Sequence, residues 1–125
     1  MNIAILIGVS KYSTLSQLPT CKIDVRKMKE LIKGTGKFSE ILFFEDDTDK
    51  YLIEPLIKDL LNKYKGQGID ELFFYYSGHG KTINEELYLS TSTTDVERLS
   101  ETCLSNSWLD NIFRELNPKL MVKLI

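Results

Sequence analysis

The sequence predicts an α/β domain built on a mostly parallel sheet with helices on both faces. Apolar runs typical of strands alternate with segments of helical periodicity, giving a βαβαβ pattern over residues 1–76. The apolar runs show no polar alternation, as expected of strands buried on both faces of a parallel sheet. A helix-length segment separates successive strands, which suits crossover connections. At 125 residues the chain is one domain, large enough for a core.

Three apolar runs predict the first three strands. Residues 3–7 are continuously apolar and are followed by Gly8. Residues 41–44 form a second run, which ends at the acidic residues 45–47. Residues 72–76 are five large apolar or aromatic residues in succession. We therefore expect three neighbouring strands in one sheet.

Two helices are predicted between these strands. From Cys21 onward apolar residues recur at helical spacing, and Gly34 ends the pattern. Thr48 is the expected N-cap of the next helix, whose one-sided apolar stripe reaches Tyr64. Pro55 interrupts this stripe, so the helix is either kinked there or begins only shortly before it.

The rest of the chain predicts a hairpin, a helix and a fourth strand. Residues 87–89 indicate a short extended segment or hairpin, and the Ser/Thr cluster at 90–94 indicates a loop. Ser105 or Ser107 is the expected cap of the last helix. Residues 119–125 are again mostly apolar and predict a fourth strand.

The chain ends on Leu124 and Ile125, inside or at the tip of this last strand. Chain termini are usually polar and mobile. We therefore expect a fragment, a truncated chain or one piece of a processed protein. The alternative is a natural domain that ends on an edge strand.

Composition narrows the classes of function. The net charge of -2 provides no basic surface for nucleic acid or an anionic membrane, and neither partner is expected. No apolar run approaches the length of a membrane span, and the N-terminus lacks a signal-peptide pattern. Cys21 and Cys103 are far apart and form neither a metal-ligand pattern nor a disulfide framework. We predict a reducing, cytoplasmic location, with no metal and no cofactor.

His79 is the only histidine, and it directly follows the strand predicted at 72–76. The carboxyl ends of strands in open α/β sheets are where ligands and reaction chemistry are usually placed. Gly78 and Gly80 flank it, and glycine permits either a positive φ or a close approach of the backbone to another group. A lone histidine in a loop is also compatible with a solvated turn residue or a satisfied core group.

Residues 76–80, Tyr-Ser-Gly-His-Gly, match a known histidine motif without a gap. Residues 4–12 are similar to the opening strand and loop of the same family, and residues 18–24 to the segment that leads into its first helix. Residues 86–89 and 104–105 resemble the extended segment and helix start that follow the motif. The chain thus resembles the caspase-like cysteine proteases, peptidase C14 type, which include caspases, metacaspases and bacterial relatives.

The resemblance implies a caspase-hemoglobinase-like three-layer sandwich, present here as an incomplete four-strand portion. Residues 1–125 would be the N-terminal, large-subunit-like part of a single caspase-like domain. The nucleophile of the family is a cysteine in an Asp-x-Cys-x-Gly segment after the fourth strand, which these residues do not contain. Neither Cys21 nor Cys103 is expected to replace it, so the chain alone should be inactive.

The resemblance also implies roles for two residues of the histidine motif. His79 would be the general base and acid that pairs with the thiol, and the backbone N–H of Gly80 would help bind the oxyanion. The expected partners are a protein or peptide substrate and the remainder of the protease domain or a C-terminal subunit.

Two residues match the pocket for the P1 side chain in metacaspase-like members, and a third could join them. Cys21 and Asp24 match the cysteine and the aspartate of that pocket, and Ser77 could add a hydroxyl to its wall. A carboxylate in the pocket favours Arg or Lys at P1. Asp24 could instead supply favourable charge at a helix N-terminus.

Other interpretations are weaker. A catalytically inactive caspase-like binding or scaffold module is the main alternative, and a flavodoxin-like regulatory domain shares the predicted sheet. Residues 80–82, Gly-Lys-Thr, lack the glycine a P-loop needs at position 75, and residues 34–36 lack the third glycine of a dinucleotide fingerprint. The acidic residues 45–47 are more simply a solvated turn than a metal site.

Overall fold

The computed structural model describes residues 1–46 and 48–125 and has the predicted α/β architecture. Its elements in chain order are β1 (Asn2–Gly8), α1 (Pro19–Gly34), β2 (Glu40–Glu45), α2 (Lys50–Tyr64), β3 (Glu71–Ser77), β4 (Gly80–Ile83), β5 (Glu86–Leu89), α3 (Leu99–Thr102), β6 (Leu104–Ser105), α4 (Asn106–Leu116) and β7 (Leu120–Leu124). None of the helices in the described part of the chain is long and apolar enough to cross a membrane.

The main sheet has four strands in the order β2-β1-β3-β7, all parallel. Both the four predicted strands and their parallel arrangement are confirmed. Helix α1 packs on one face, while α2 and α4 cover the other, which makes three layers. The carboxyl ends of all four strands therefore meet at one edge of the sheet.

The two central strands, β1 and β3, are buried on both faces, as their unbroken apolar runs predicted. The edge strands are not: β2 is mostly half-buried, and Leu120, Met121 and Leu124 of β7 are exposed, because β7 has a neighbouring strand on one side only. Alternate residues of β1 point to opposite sides: Ile5 packs with Phe74 in the core under α2 and α4, whereas Leu6 packs with Val25 under α1. Helix α1 lies very close to the end of β1, because a Cβ at Gly8 would be 2.4 Å from Cγ1 of Val25 and 3.0 Å from the Cys21 carbonyl oxygen. Only glycine fits this contact.

A second, antiparallel sheet of order β4-β5-β6 stands beyond β3. Asn84 and Glu85 join β4 to β5 with φ of 50° and 67°, the left-handed pair that suits a two-residue hairpin. The hairpin expected at residues 87–89 is confirmed, and β4 starts one residue after His79.

The helix starts differ in detail from the predicted ones. Helix α1 begins at Pro19 rather than Cys21, since proline lacks an N–H and suits the first turn. The N-cap of α2 is Asp49 and not Thr48: the Asp49 carboxylate accepts the Leu52 N–H at 2.8 Å.

Two further helix predictions can be compared with the structure. Helix α2 starts at Lys50, so Pro55 lies inside it and does not mark its beginning. Ser105 is confirmed as the cap of α4, where its Oγ accepts the Trp108 N–H at 3.2 Å.

Candidate active site

His79 lies just beyond the carboxyl end of β3, partly exposed. Its Nε2 is 2.8 Å from the carbonyl oxygen of Ser16, in the loop between β1 and α1. A carbonyl oxygen can only accept a hydrogen bond, so Nε2 carries a proton, and in the neutral ring the lone pair is on Nδ1. The structure thus holds the imidazole in the tautomer that leaves Nδ1 available as a base.

The main chain of His79 is fixed by three hydrogen bonds. Its N–H donates to Oη of Tyr12 at 2.9 Å. Its carbonyl oxygen accepts the Tyr76 hydroxyl at 2.7 Å and the Ser90 N–H at 2.9 Å. The Tyr12 ring also meets the imidazole edge-on, with 4.8 Å between the ring centroids. The histidine is therefore oriented through both its backbone and its ring.

Gly78 is required by close contact and not by its backbone angle. A Cβ there would lie 2.5 Å from Oη of Tyr76 and 2.6 Å from Oη of Tyr12, and its φ is not positive. Gly80 has neither constraint, since a Cβ would meet nothing closer than Leu87 Cδ1 at 3.5 Å. Of the two possibilities left open by the sequence, the structure selects close approach, and only at Gly78.

The backbone N–H of Gly80 faces away from the neighbouring strand. Gly80 is opposite Leu89 in the β4–β5 pair, and the Ser90 N–H bonds to the His79 carbonyl. Hydrogen-bonded and non-hydrogen-bonded pairs alternate along an antiparallel ladder, which makes Gly80 and Leu89 a non-hydrogen-bonded pair. The exposed Gly80 N–H therefore points to the free edge of β4, open to a ligand.

All three predicted pocket residues, Cys21, Asp24 and Ser77, influence the side chain of Tyr75, which packs on the α1 face of the sheet. Burial raises the pKa of Tyr75, a hydrogen bond to Ser77 partly offsets this, and the nearby Asp24 and Cys21 raise it further. Cys21 is buried, whereas Asp24 is exposed and has no ion-pair partner among residues 1–46 and 48–125. An unpaired carboxylate next to a polar strand end can accept a cationic group.

The residues around Tyr75 and His79 both lie near the carboxyl end of β3. Tyr75 on β3 is in register with Leu124, the last residue of β7. The carboxyl end of β7 therefore lies beside the end of β3 that carries Ser77 and His79.

Sequence reasoning did not find the groups that orient the histidine. Ser16 acts through its carbonyl oxygen, which every residue has, so no side-chain pattern marks it. Tyr12 lies 67 residues from His79 in the sequence, and only the fold brings them together. Cys103, which is not expected to be the nucleophile, is fully buried with its Sγ 3.4 Å from Oγ1 of Thr94, which fits a structural role.

The first two residues of the acidic stretch 45–47 form ion pairs with α1. Glu45 accepts two hydrogen bonds from Arg26, and Asp46 lies 3.2 Å from Nζ of Lys22. Asp47, the third residue of this predicted turn, lies outside the described residues. The described residues contain no group of three His, Cys, Asp or Glu side chains that could hold a metal ion.

Comparison with known proteins agrees with this geometry. The family model of the caspase domain, Peptidase C14, matches residues 1–123. The chain belongs to this family. The caspase-like fold expected from the histidine motif is therefore confirmed, and the family is one of proteases.

Individual relatives are metacaspases. This caspase domain is 35% identical over 91 residues to metacaspase-6 of Arabidopsis thaliana, covering 66% of this chain and 24% of that protein. It is 29% identical over 123 residues to metacaspase-4 of the same plant, covering 94% of this chain and 29% of that protein. Metacaspase-1B of Neurospora crassa is 29% identical over 84 residues, covering 62% of this chain and 20% of that protein. The chain spans about a quarter of the length of these relatives.

Proposed function

We propose that the protein carrying this caspase domain is a cysteine endopeptidase in which His79 is the general base and acid. The observation that carries the proposal is the hydrogen bond from His79 Nε2 to the Ser16 carbonyl at 2.8 Å. It presents Nδ1 with a lone pair at the carboxyl edge of the sheet, next to the strand from which the family nucleophile is expected to follow.

The nucleophile would come from residues that continue β7. Since Leu124 is opposite Tyr75, a few more residues in the same register would come level with residues 77–79. Neighbouring strands are about 4.8 Å apart, which brings a side chain at that level within reach of the imidazole. Cys21 and Cys103 are both buried and free, and neither lies on β7.

The chemistry follows from these positions. His79 Nδ1 takes the thiol proton, and the thiolate attacks the scissile carbonyl carbon. The resulting oxyanion accepts the Gly80 N–H, a donor of a kind that contributes about 3 to 4 kcal/mol in oxyanion holes. The C–N bond then breaks as the imidazolium protonates the leaving amine. Water, deprotonated by the same imidazole, hydrolyses the thioester and restores the thiol.

Asp24, with Cys21 and Ser77, is proposed to bind a basic P1 side chain. The support is its exposed, unpaired carboxylate, which is near enough to Tyr75 of β3 to raise the pKa of that phenol. An Arg or Lys side chain there would form a charge-assisted hydrogen bond. Substrates are accordingly expected to be proteins or peptides cleaved after Arg or Lys.

The test uses the complete protein on fluorogenic peptides with Arg, Lys, Asp or Leu at P1. We expect cleavage after Arg and Lys, and a loss of about 10²- to 10⁴-fold in kcat for His79→Ala. The 125-residue chain alone should not cleave any of them. Activity that is indifferent to His79→Ala would contradict the proposal.

If the complete protein cleaves none of the peptides, the alternative of an inactive binding or scaffold module would be favoured. The sheet order β2-β1-β3-β7 also occurs in flavodoxin-like domains, but the family match favours the protease fold over that alternative. A cytoplasmic location and the lack of nucleic-acid or membrane partners stay predictions from composition.

A further inference from the structure

We infer that Tyr12 and Tyr76 are positioning residues of the catalytic histidine: the Tyr12 hydroxyl accepts the His79 N–H, and the Tyr76 hydroxyl donates to the His79 carbonyl oxygen. This inference rests on the proposed function. It concerns two side chains that do not touch the substrate and act only through His79.

The hydroxyls replace the last bond of a β ladder. In the β4–β5 pair, residue 79 is opposite residue 90, and the Ser90 N–H donates to the His79 carbonyl as a regular ladder requires. The reciprocal bond, from the His79 N–H to the Ser90 carbonyl, is absent. Instead the His79 N–H donates to Tyr12 Oη at 2.9 Å, and Tyr76 Oη donates to the Ser90 carbonyl at 2.7 Å.

The direction of each bond follows from the chemistry of its groups. Tyr12 Oη accepts the His79 N–H, since a backbone N–H can only donate. Tyr76 Oη has one proton and lies 2.7 Å from two carbonyl oxygens, those of His79 and Ser90, which share it.

The environment keeps the two hydroxyls neutral and holds them rigidly. Tyr12 and Tyr76 are 5% and 3% exposed. Burial raises the pKa of both phenols, so neither ionises near neutral pH. Both hydroxyls rest against the Cα of Gly78, where a Cβ would be within 2.6 Å of each. The glycine before His79 thus leaves the space that the two hydroxyls need.

Loop 9–18 brings Tyr12 and Ser16 to the histidine as one unit. The Gln17 side chain accepts the Tyr12 N–H at 3.0 Å and donates to the Tyr12 carbonyl at 2.8 Å. The Tyr12 hydroxyl and the Ser16 carbonyl then hold the backbone and the imidazole of the same residue. Loss of the Tyr12 hydroxyl should let the peptide rotate and weaken the bond from Nε2 to Ser16.

The first experiment observes the only histidine of this chain directly. The 125-residue chain is labelled with 15N-histidine, and the imidazole nitrogen shifts are followed with pH in Tyr12→Phe, Tyr76→Phe and the control Tyr64→Phe. Tyr64 is also buried, and its hydroxyl bonds to Glu40 far from His79. We expect the Nε2–H tautomer in the wild type and the control, and averaged nitrogen shifts in both other variants.

The second experiment measures kcat and KM of the same variants in the complete protein. We expect kcat to fall by up to about 100-fold in Tyr12→Phe and Tyr76→Phe, with KM unchanged. Nitrogen shifts and kcat equal to those of Tyr64→Phe would overturn the inference, and so would unfolding of both variants beside a folded control. If His79→Ala retains activity, the proposed function fails, while the nitrogen shifts still test whether the two hydroxyls orient His79.

Discussion

The two sides of the candidate site are held by opposite kinds of interaction. On one side, the His79 segment is fixed by buried, neutral hydroxyls from Tyr12 and Tyr76. On the other, the first turns of α1 are linked to the end of β2 by charged pairs at the surface, and Asp24 has no partner there. The position of His79 is therefore set by contacts within this chain, whereas the α1 side retains an unpaired carboxylate.

This difference affects how each side responds to solution conditions. Neutral hydrogen bonds in the interior are barely screened by salt, but exposed ion pairs are. We expect the His79 segment to be sensitive to alkali and to changes of volume. The α1 side should instead respond to acid, salt and charge reversal.

The largest effect is expected for Gly78→Ala. Its Cβ would be 2.5 Å from one hydroxyl oxygen and 2.6 Å from the other, so the segment must shift. We expect the free energy of unfolding to fall by about 1 to 3 kcal/mol. The matched control is Gly80→Ala, which has room for the methyl group and should change stability by less than about 0.5 kcal/mol. Denaturant unfolding measures both; equal stability of the two variants would refute the close-contact argument.

The next effect is a loss of stability in alkali that depends on Tyr12 and Tyr76. Burial raises the pKa of both phenols above the ordinary value of 10.0. The stability gained by keeping them neutral is thus fully present below pH 10 and is lost as the pH rises toward their folded-state values. Thermal unfolding against pH should decline less steeply in Tyr76→Phe. Tyr51→Phe, at an exposed site, should retain the wild-type profile.

Asp24→Asn should separate binding from folding. Because the carboxylate is exposed and unpaired, the free energy of unfolding should change by less than about 0.5 kcal/mol. KM for peptides with Arg or Lys at P1 should rise, and that for Leu at P1 should not. A variant with unchanged KM for all peptides would contradict the pocket role. The alternative of favourable charge at a helix N-terminus is wrong, because α1 begins at Pro19 and has no acidic residue in its first turn.

The smallest effect is expected for Glu45→Gln. Hydrogen bonds from Arg26 hold the pKa of the Glu45 carboxyl below its ordinary value of 4.5. The resulting stabilisation exists above pH 4.5 and disappears as the pH falls through the lower folded value. The variant should therefore differ slightly from wild type at neutral pH and low salt, and not at all in strong acid or high salt. An equal difference under all these conditions would show that packing, not charge, is responsible.

The sequence was sufficient for the sheet and for the histidine. Continuous apolar runs such as residues 72–76 marked strands buried on both faces, and the Gly-flanked His79 was found at the predicted sheet edge. The chain could not reveal the Ser16 carbonyl, because backbone groups leave no sequence pattern. The cap of α2 was misplaced by one residue, since Thr48 and Asp49 are both good caps and only the geometry selects the carboxylate.

The role of the loop at 90–94 could not be read from its composition either. Its Ser/Thr residues predicted a loop, which the structure confirms. In the fold, the Ser92 carbonyl accepts the Ser13 N–H at 2.9 Å, and the Ser92 N–H donates to Thr48 at 2.7 Å. The loop therefore supports the segment that carries Ser16. Such long-range support depends on tertiary packing and not on local propensity.

The close contact at Gly8 fixes how helix α1 is placed relative to the strand ends of the candidate site. Because α1 rests almost directly on the end of β1, the turn that carries Asp24 cannot slide relative to the strand ends. The scaffold thus fixes the distance between the Asp24 carboxylate and the His79 imidazole. Under the proposed function, a substrate must span this distance, and a different P1 preference would require a different residue at position 24 and not a shift of the helix.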